Sequence, residues 1–164
     1  LGHPYNTVIL WASQNEPEPG PAEMPMFIEY ALRQHVASRN DTALLVRYHP
    51  SQKVEFSPQS NVFLSRSGDQ LEMVLHACDV VVTRNSTVGL QGAFVGKGLI
   101  AANFGVPRKG IRFEEVGLCR AVDNAEELSM EINRLVSNPR TAEGRIAGEI
   151  ATDLVVKQLL GLLS

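Results

Sequence analysis

Val80-Val81-Val82-Thr83-Arg84-Asn85-Ser86-Thr87-Val88-Gly89-Leu90-Gln91-Gly92-Ala93 is an apolar strand that breaks into a short polar turn and opens directly into a helix. The first turn of a helix has unpaired backbone N–H groups and a partial positive charge. A strand that feeds one through Asn, Ser and Thr therefore sets anion-seeking donors at the carboxyl edge of a sheet. Ser86 or Thr87 can cap that helix, and a cap with no ligand uses the same residue types, so the surrounding pattern has to decide between the two.

Working outward, the same strand-then-helix alternation recurs. Thr7 to Ala12 is a β-prone apolar run that stops at the polar pair Ser13-Gln14. The prolines of Asn15 to Pro21 then forbid regular structure. Pro25 suits a first helical turn, and Phe27, Ile28, Ala31, Leu32 and Val36 recur at helical spacing to about Ser38. Ala43 to Tyr48 reads as a second strand, ended by His49-Pro50-Ser51, because proline drives its predecessor out of helical geometry. Asn61 to Ser65, Val80 to Thr83, Gly98 to Asn103 and Cys119 to Val122 read as further strands. Leu71 to Ala77, Val88 to Val95, Ala125 to Val136 and Thr141 to Leu163 read as helices.

Unbroken apolar strands are buried on both faces, and alternation with helices implies parallel strands joined by right-handed crossovers. The expected fold is α/β: a Rossmann-like three-layer sandwich around a parallel sheet of about six strands. Ligands bind such sheets outside the carboxyl ends of the strands, which is where Ser13, Gln14, His49, Ser65, Asn85, Ser86, Thr87 and Asn103 fall. No GxGxxG follows the first strand and no GxxxxGK[ST] occurs, which disfavours NAD and a Walker-type loop.

The chain has 164 residues and a formal charge of -3 with the signs interspersed, so one domain is expected and nucleic acid is a poor partner. Cys78 and Cys119 lie far apart with no CxxC or Cys/His spacing, against zinc and against a disulfide framework, and no metal site is expected. The chain opens without a basic-then-apolar leader, and no apolar run approaches the roughly 20 residues a bilayer span needs. A soluble, cytoplasmic protein is expected. His3, His35 and His76 are expected in surface or capping roles.

The segments Arg47-Tyr48-His49-Pro50, Cys78 to Ala93 and Gly96-Lys97-Gly98-Leu99-Ile100 together resemble the carboxy-terminal domain of GT-B fold glycosyltransferases and UDP-N-acetylglucosamine 2-epimerases, over most of the chain. Leu1-Gly2-His3-Pro4 looks like that family's interdomain linker. The resemblance implies a linker remnant over 1–6, a single nucleotide-sugar-binding domain over 7–164, and a missing amino-terminal domain that binds the acceptor. It implies no cofactor beyond a UDP- or CMP/CDP-linked sugar as substrate.

It also implies roles. Ser13, Gln14, Asn85, Ser86 and Thr87 would line the nucleotide and its phosphates. Gln91 stands where the family usually has a ribose-binding Glu; an amide accepts from one hydroxyl but lacks the charge-assisted grip of a carboxylate. Gly98 replaces a common proline. His49 matches the strand-end histidine and is the catalytic candidate, since imidazoles titrate near neutrality and can donate to phosphate or move a proton. Arg47, two residues earlier, shares its side of the strand and could reach the same phosphate. Arg112 and Glu114 resemble in spacing the Arg-Pro-Glu segment near the epimerase sugar, with Phe113 for the proline. The apolar tail Val155 to Leu163 would cover a neighbour or join two copies of the chain.

Three functions fit these residues. The first is the donor-binding half of a glycosyltransferase, in cell-surface polysaccharide synthesis and inactive as this fragment alone. The second is the matching domain of a 2-epimerase. The third is a non-catalytic nucleotide-binding or interaction module, to which Gln91 gives the main support.

Overall fold

The computed structural model describes residues 5–15, 23–66, 68–106 and 112–138. The proline-rich loop after Asn15, the helix expected over 141–163 and most of the expected linker lie outside them. In chain order the elements are β1 (Thr7–Ala12), α1 (Met24–Ala37), β2 (Thr42–Arg47), β3 (Val62–Leu64), α2 (Leu71–Ala77), β4 (Val80–Thr83), α3 (Thr87–Phe94), β5 (Gly98–Ala102), β6 (Arg120–Val122) and α4 (Ala125–Ser137). They form the expected α/β fold: a six-stranded sheet in the order β3-β2-β1-β4-β5-β6, with every neighbouring pair parallel. Among the described residues no helix is long and apolar enough to cross a membrane.

Strand alternation divides the core in two. Ile9, Trp11, Val80 and Val82 face α1 and α4, where Ile28, Leu32, Leu128 and Ile132 pack on them. Val8, Leu10, Val81 and Leu99 face α2 and α3, against Val74, Leu75, Leu90 and Ala93. Both faces of the central strands are therefore dry, which is why their sequences read as unbroken apolar runs.

α3 comes unusually close to the sheet. A Cβ on Gly89 would stand 2.7 Å from Thr83 Cγ2, and one on Gly92 would stand 2.7 Å from Val81 Cγ2. The two glycines, three apart on one helix face, let the backbone descend onto β4 and fix where the amino end of α3 meets the strand that precedes it.

α1 departs from the sequence reading. Its buried row is Met24, Ile28, Ala31, Leu32, His35 and Val36, while Phe27 is 58% exposed. The row continues the i, i+4, i+7, i+8 series, and Phe27 falls on its flank. His35, expected at the surface, is buried, with Nδ1 2.7 Å from Ser129 Oγ on α4. Burial, with the nearby Arg39 charge, lowers its pKa to about 4, so the ring is neutral at physiological pH.

Candidate functional site

The chain leaves β1 toward the α1 face and leaves β4 toward the α3 face, so the carboxyl ends of these paired strands bound the crevice where such sheets take ligands. Thr83 ties the two strand ends together: its Oγ1 donates to Ala12 O at 3.1 Å and accepts from Ser86 N at 3.1 Å. Ser86 has extended backbone geometry and caps α3, its Oγ accepting from Val88 N at 3.3 Å while its carbonyl accepts from Gly89 N at 2.8 Å. The Thr87 amide, at the first helical position, has no intrahelical acceptor available to it. Across the crevice, Gln14 Nε2 donates to Asn85 Oδ1 at 2.7 Å.

The exit of β2 joins the same rim. Ser13 N donates to Arg47 O at 2.9 Å, and Gln52 Nε2 donates to Ser13 Oγ at 3.0 Å. His49 is held by its own turn: Gln52 Oε1 accepts from His49 N at 2.8 Å, and Ser51 N donates to His49 Nδ1 at 3.2 Å. Ser51 Oγ lies 2.7 Å from the same Nδ1 and accepts from Asn15 Nδ2 at 2.6 Å. Because a backbone N–H can only donate, Nδ1 is an acceptor and the neutral ring carries its proton on Nε2. Ser13, Gln14, His49 and Asn85 thus share one hydrogen-bonded rim with the α3 cap. Ser51 and Gln52, which sequence reasoning missed, are the residues that orient His49; the proline turn was their only local signal.

Two expected residues stand apart from this rim. Arg47 donates to Ser65 Oγ at 2.8 Å, Arg66 O at 3.2 Å and Asp69 O at 3.3 Å, holding the turn after β3. Reaching a phosphate at α3 would break these bonds. Gln91 is exposed one turn into α3 and lines a cleft of about 350 Å³ between α2 and α3 with Glu72, Leu75, His76, Leu90, Phe94 and Val95. That cleft is mostly apolar and none of the rim residues lines it.

A second cluster stands at the exit of β5. Arg112 and Glu114 do come together, Arg112 Nε lying 3.2 Å from Glu114 Oε1 and Arg112 Nη1 3.0 Å from Glu115 Oε1. Asn103 Nδ2 donates to the same Glu114 oxygen at 3.0 Å. Partial burial pushes the Glu114 pKa up, but its own backbone N–H, Asn103 and Arg112 outweigh that, and the carboxyl is held below its ordinary range. Arg84, also missed, lies between the two clusters, 2% exposed, with Nη1 on Asn103 O at 3.1 Å and Nη2 on Val106 O at 3.0 Å. Burial pushes the thiols up, Cys78 to about 11 and Cys119 to about 12, so neither is a thiolate at neutral pH.

No family profile matches this sequence, and no curated protein matches it. Solved structures do. The spinosyn rhamnosyltransferase SpnG superposes with a TM-score of 0.68 at 12% identity, over 97% of this chain and 46% of its own. A protein named as a UDP-N-acetylglucosamine 2-epimerase, from Listeria monocytogenes, gives 0.61 at 21% identity, over 97% and 46%. S. aureus MnaA, solved with UDP, gives 0.62 at 16% identity, over 96% and 47%. The chain therefore spans less than half the length of these proteins. Its fold is that of one domain of the GT-B glycosyltransferases and UDP-N-acetylglucosamine 2-epimerases.

Proposed function

We propose that this domain binds the nucleotide-linked sugar donor of a GT-B-type glycosyltransferase, the acceptor being held by a further, amino-terminal domain. The observation that carries the reading is the switch-point rim, where the Gln14–Asn85 bond closes over the Ser86-capped start of α3. The donor diphosphate would lie on the first-turn N–H groups of α3 beside the Ser86 and Thr87 hydroxyls, where the helix dipole favours negative charge. As the glycosidic bond to phosphate breaks, charge grows on the leaving diphosphate, and fixed donors already aimed at it lower the barrier without reorganising. His49, presenting Nε2–H from the neighbouring strand exit, would donate to a phosphate oxygen. Gln91, on the α2 side of α3, leaves the ribose without a carboxylate partner at that position, so base and ribose selectivity would come from the β2 and β3 exits.

A 2-epimerase is the second reading, favoured by the Arg112–Glu114 pair near the same edge. A cell-surface polysaccharide as product belongs to the first reading and depends on the acceptor domain. Calorimetric titration of the 164-residue chain with UDP, CDP, CMP and UDP-N-acetylglucosamine tests both: saturable binding weakened in Ser86→Ala and in His49→Ala supports the donor site, and no binding at millimolar nucleotide points to a non-catalytic module. In the longer protein, epimerisation proceeds with one sugar nucleotide alone, whereas transfer waits for an acceptor.

A further inference from the structure

Arg84 follows an apolar strand and yet is 2% exposed. Its planar fork spans two carbonyls of the β5 exit, Asn103 O and Val106 O, at 3.1 and 3.0 Å. A lysine, with a single point of charge, cannot hold two such acceptors in the same geometry. The exit it holds is conformationally costly: Phe104 sits at φ 51, a region that non-glycine residues seldom occupy, and Gly105 follows at φ 72. Strained turns persist when several contacts over-determine them. Here Val122 O accepts from Asn103 N and Phe104 N at 2.9 and 3.2 Å, and Asp123 Oδ1 accepts from Gly105 N at 3.1 Å. The Asn103 side chain then reaches out to Glu114.

Glu114 is fixed from the other side as well. Its neighbour Phe113 is 2% exposed and packs under α3, where a Cβ on Gly89 would stand 3.2 Å from Phe113 Cε2. The space that a side chain on Gly89 would take is shared by the Phe113 ring with Thr83 and Leu99. A continuous path runs from the β4–α3 turn through the Arg84 guanidinium to Asn103 and from there to the Glu114 carboxylate. A second path runs from the first turn of α3 through Phe113 to the same residue.

We propose that Arg84 is a positioning residue that couples the anion-binding turn of α3 to Glu114, so that the phosphate contacts and the sugar contacts of one donor are set as a unit. The inference rests on the donor reading above. In it, Glu114 accepts from sugar hydroxyls through the oxygen that Asn103 and Arg112 leave open, and Arg84 touches neither ligand nor Glu114 directly.

The experiment uses Arg84→Lys and Asn103→Ala in the 164-residue chain, with two readouts. Without ligand, the Glu114 carboxyl is titrated by carbon-13 NMR; among the described residues the ionisable groups around it are Arg112, Glu115 and Cys119. Its pKa rises toward the ordinary carboxylate range in both variants, and an unmoved Glu114 in folded Arg84→Lys overturns the coupling. With ligand, the affinity for a nucleotide sugar is divided by that for the matching nucleoside diphosphate. That ratio falls about tenfold in Arg84→Lys, the scale of one charge-assisted hydrogen bond, and Glu114→Gln lowers it no further in the double variant. Equal loss for both ligands assigns Arg84 to turn packing alone and overturns the proposal. Wild-type protein that binds neither ligand overturns the donor reading and the sugar role with it, while the ligand-free titration still decides the coupling. Should Arg84→Lys fail to fold, Arg84→Gln, whose amide still donates to one of the two carbonyls, carries both readouts.

Discussion

Gln14 Nε2 and Asn85 Oδ1, 71 residues apart in sequence, meet at 2.7 Å across the carboxyl ends of the two central strands. The bond spans the point where the chain diverges to opposite faces of the sheet, so it sets the width of the crevice without belonging to either core. Gln14→Ala removes it at a partly exposed position, where a hydrogen bond contributes about 1 kcal/mol. Urea unfolding is expected to show a loss of that size or less, while nucleoside diphosphate binding weakens several-fold as the Asn85 turn loosens. A variant with unchanged affinity would remove the crevice bond from the site.

Ser86 performs two tasks that substitution can separate. As N-cap it accepts from Val88 N, and as the edge of the crevice it would stand beside a bound phosphate. Ser86→Ala costs the cap, about 1 kcal/mol, and weakens phosphate binding as well. Ser86→Asp keeps the cap and adds a charge that the helix dipole favours, so thermal stability holds or rises, but that carboxylate repels an incoming phosphate. Melting curves beside titrations with nucleoside diphosphate are expected to show stability retained and binding abolished. Equal binding by Ser86→Asp and the wild type would place the anion elsewhere.

The close approach of α3 to β4 predicts a rule-breaking glycine. In an exposed helix, Gly→Ala stabilises by about 1 kcal/mol. At Gly92 the new methyl would stand 2.7 Å from Val81 Cγ2. Over-packing of a buried contact costs about 1–3 kcal/mol, so Gly92→Ala is expected to destabilise despite its better propensity. Val81→Ala in the same molecule makes room, and the pair should cost less than the sum of the two single changes. Additive denaturation energies would mean that the helix relaxes away instead.

How far the sequence disclosed this arrangement follows from how local each cause is. Val80–Thr83 and Thr7–Ala12 were legible because burial on both faces leaves an unbroken apolar run, and the α3 cap because strand, Ser and helix are contiguous. Arg84 was not legible: a cation after a strand normally faces water, and its burial comes from carbonyls 19 and 22 residues further on. Period-two reasoning put Arg47 beside His49 but could not show that the β3 exit would claim its guanidinium. The polar exits Ser13 and Asn103 were visible as positions, and their partners Gln52 and Glu114 only in three dimensions.

His35 gives the fold a pH dependence whose sign can be worked out. Its ring is buried between α1 and α4, bonded to Ser129, with Arg39 donating to the His35 carbonyl at 2.6 Å and adding positive potential. Its pKa is about 4 in the folded chain against 6.5 for the free side chain. Between those values the unfolded chain takes up a proton that the folded chain refuses, so acid favours unfolding. The stability owed to a neutral His35 is fully present above about pH 6.5 and is lost progressively toward pH 4. His35→Gln keeps a hydrogen-bonding group toward Ser129 but cannot charge. Urea midpoints measured from pH 7 to 4 are therefore expected to fall less in the variant than in the wild type, with the two curves converging or crossing at the acid end. Parallel curves would show that His35 remains free to protonate in the folded chain and that the α1–α4 contact opens to admit the charge.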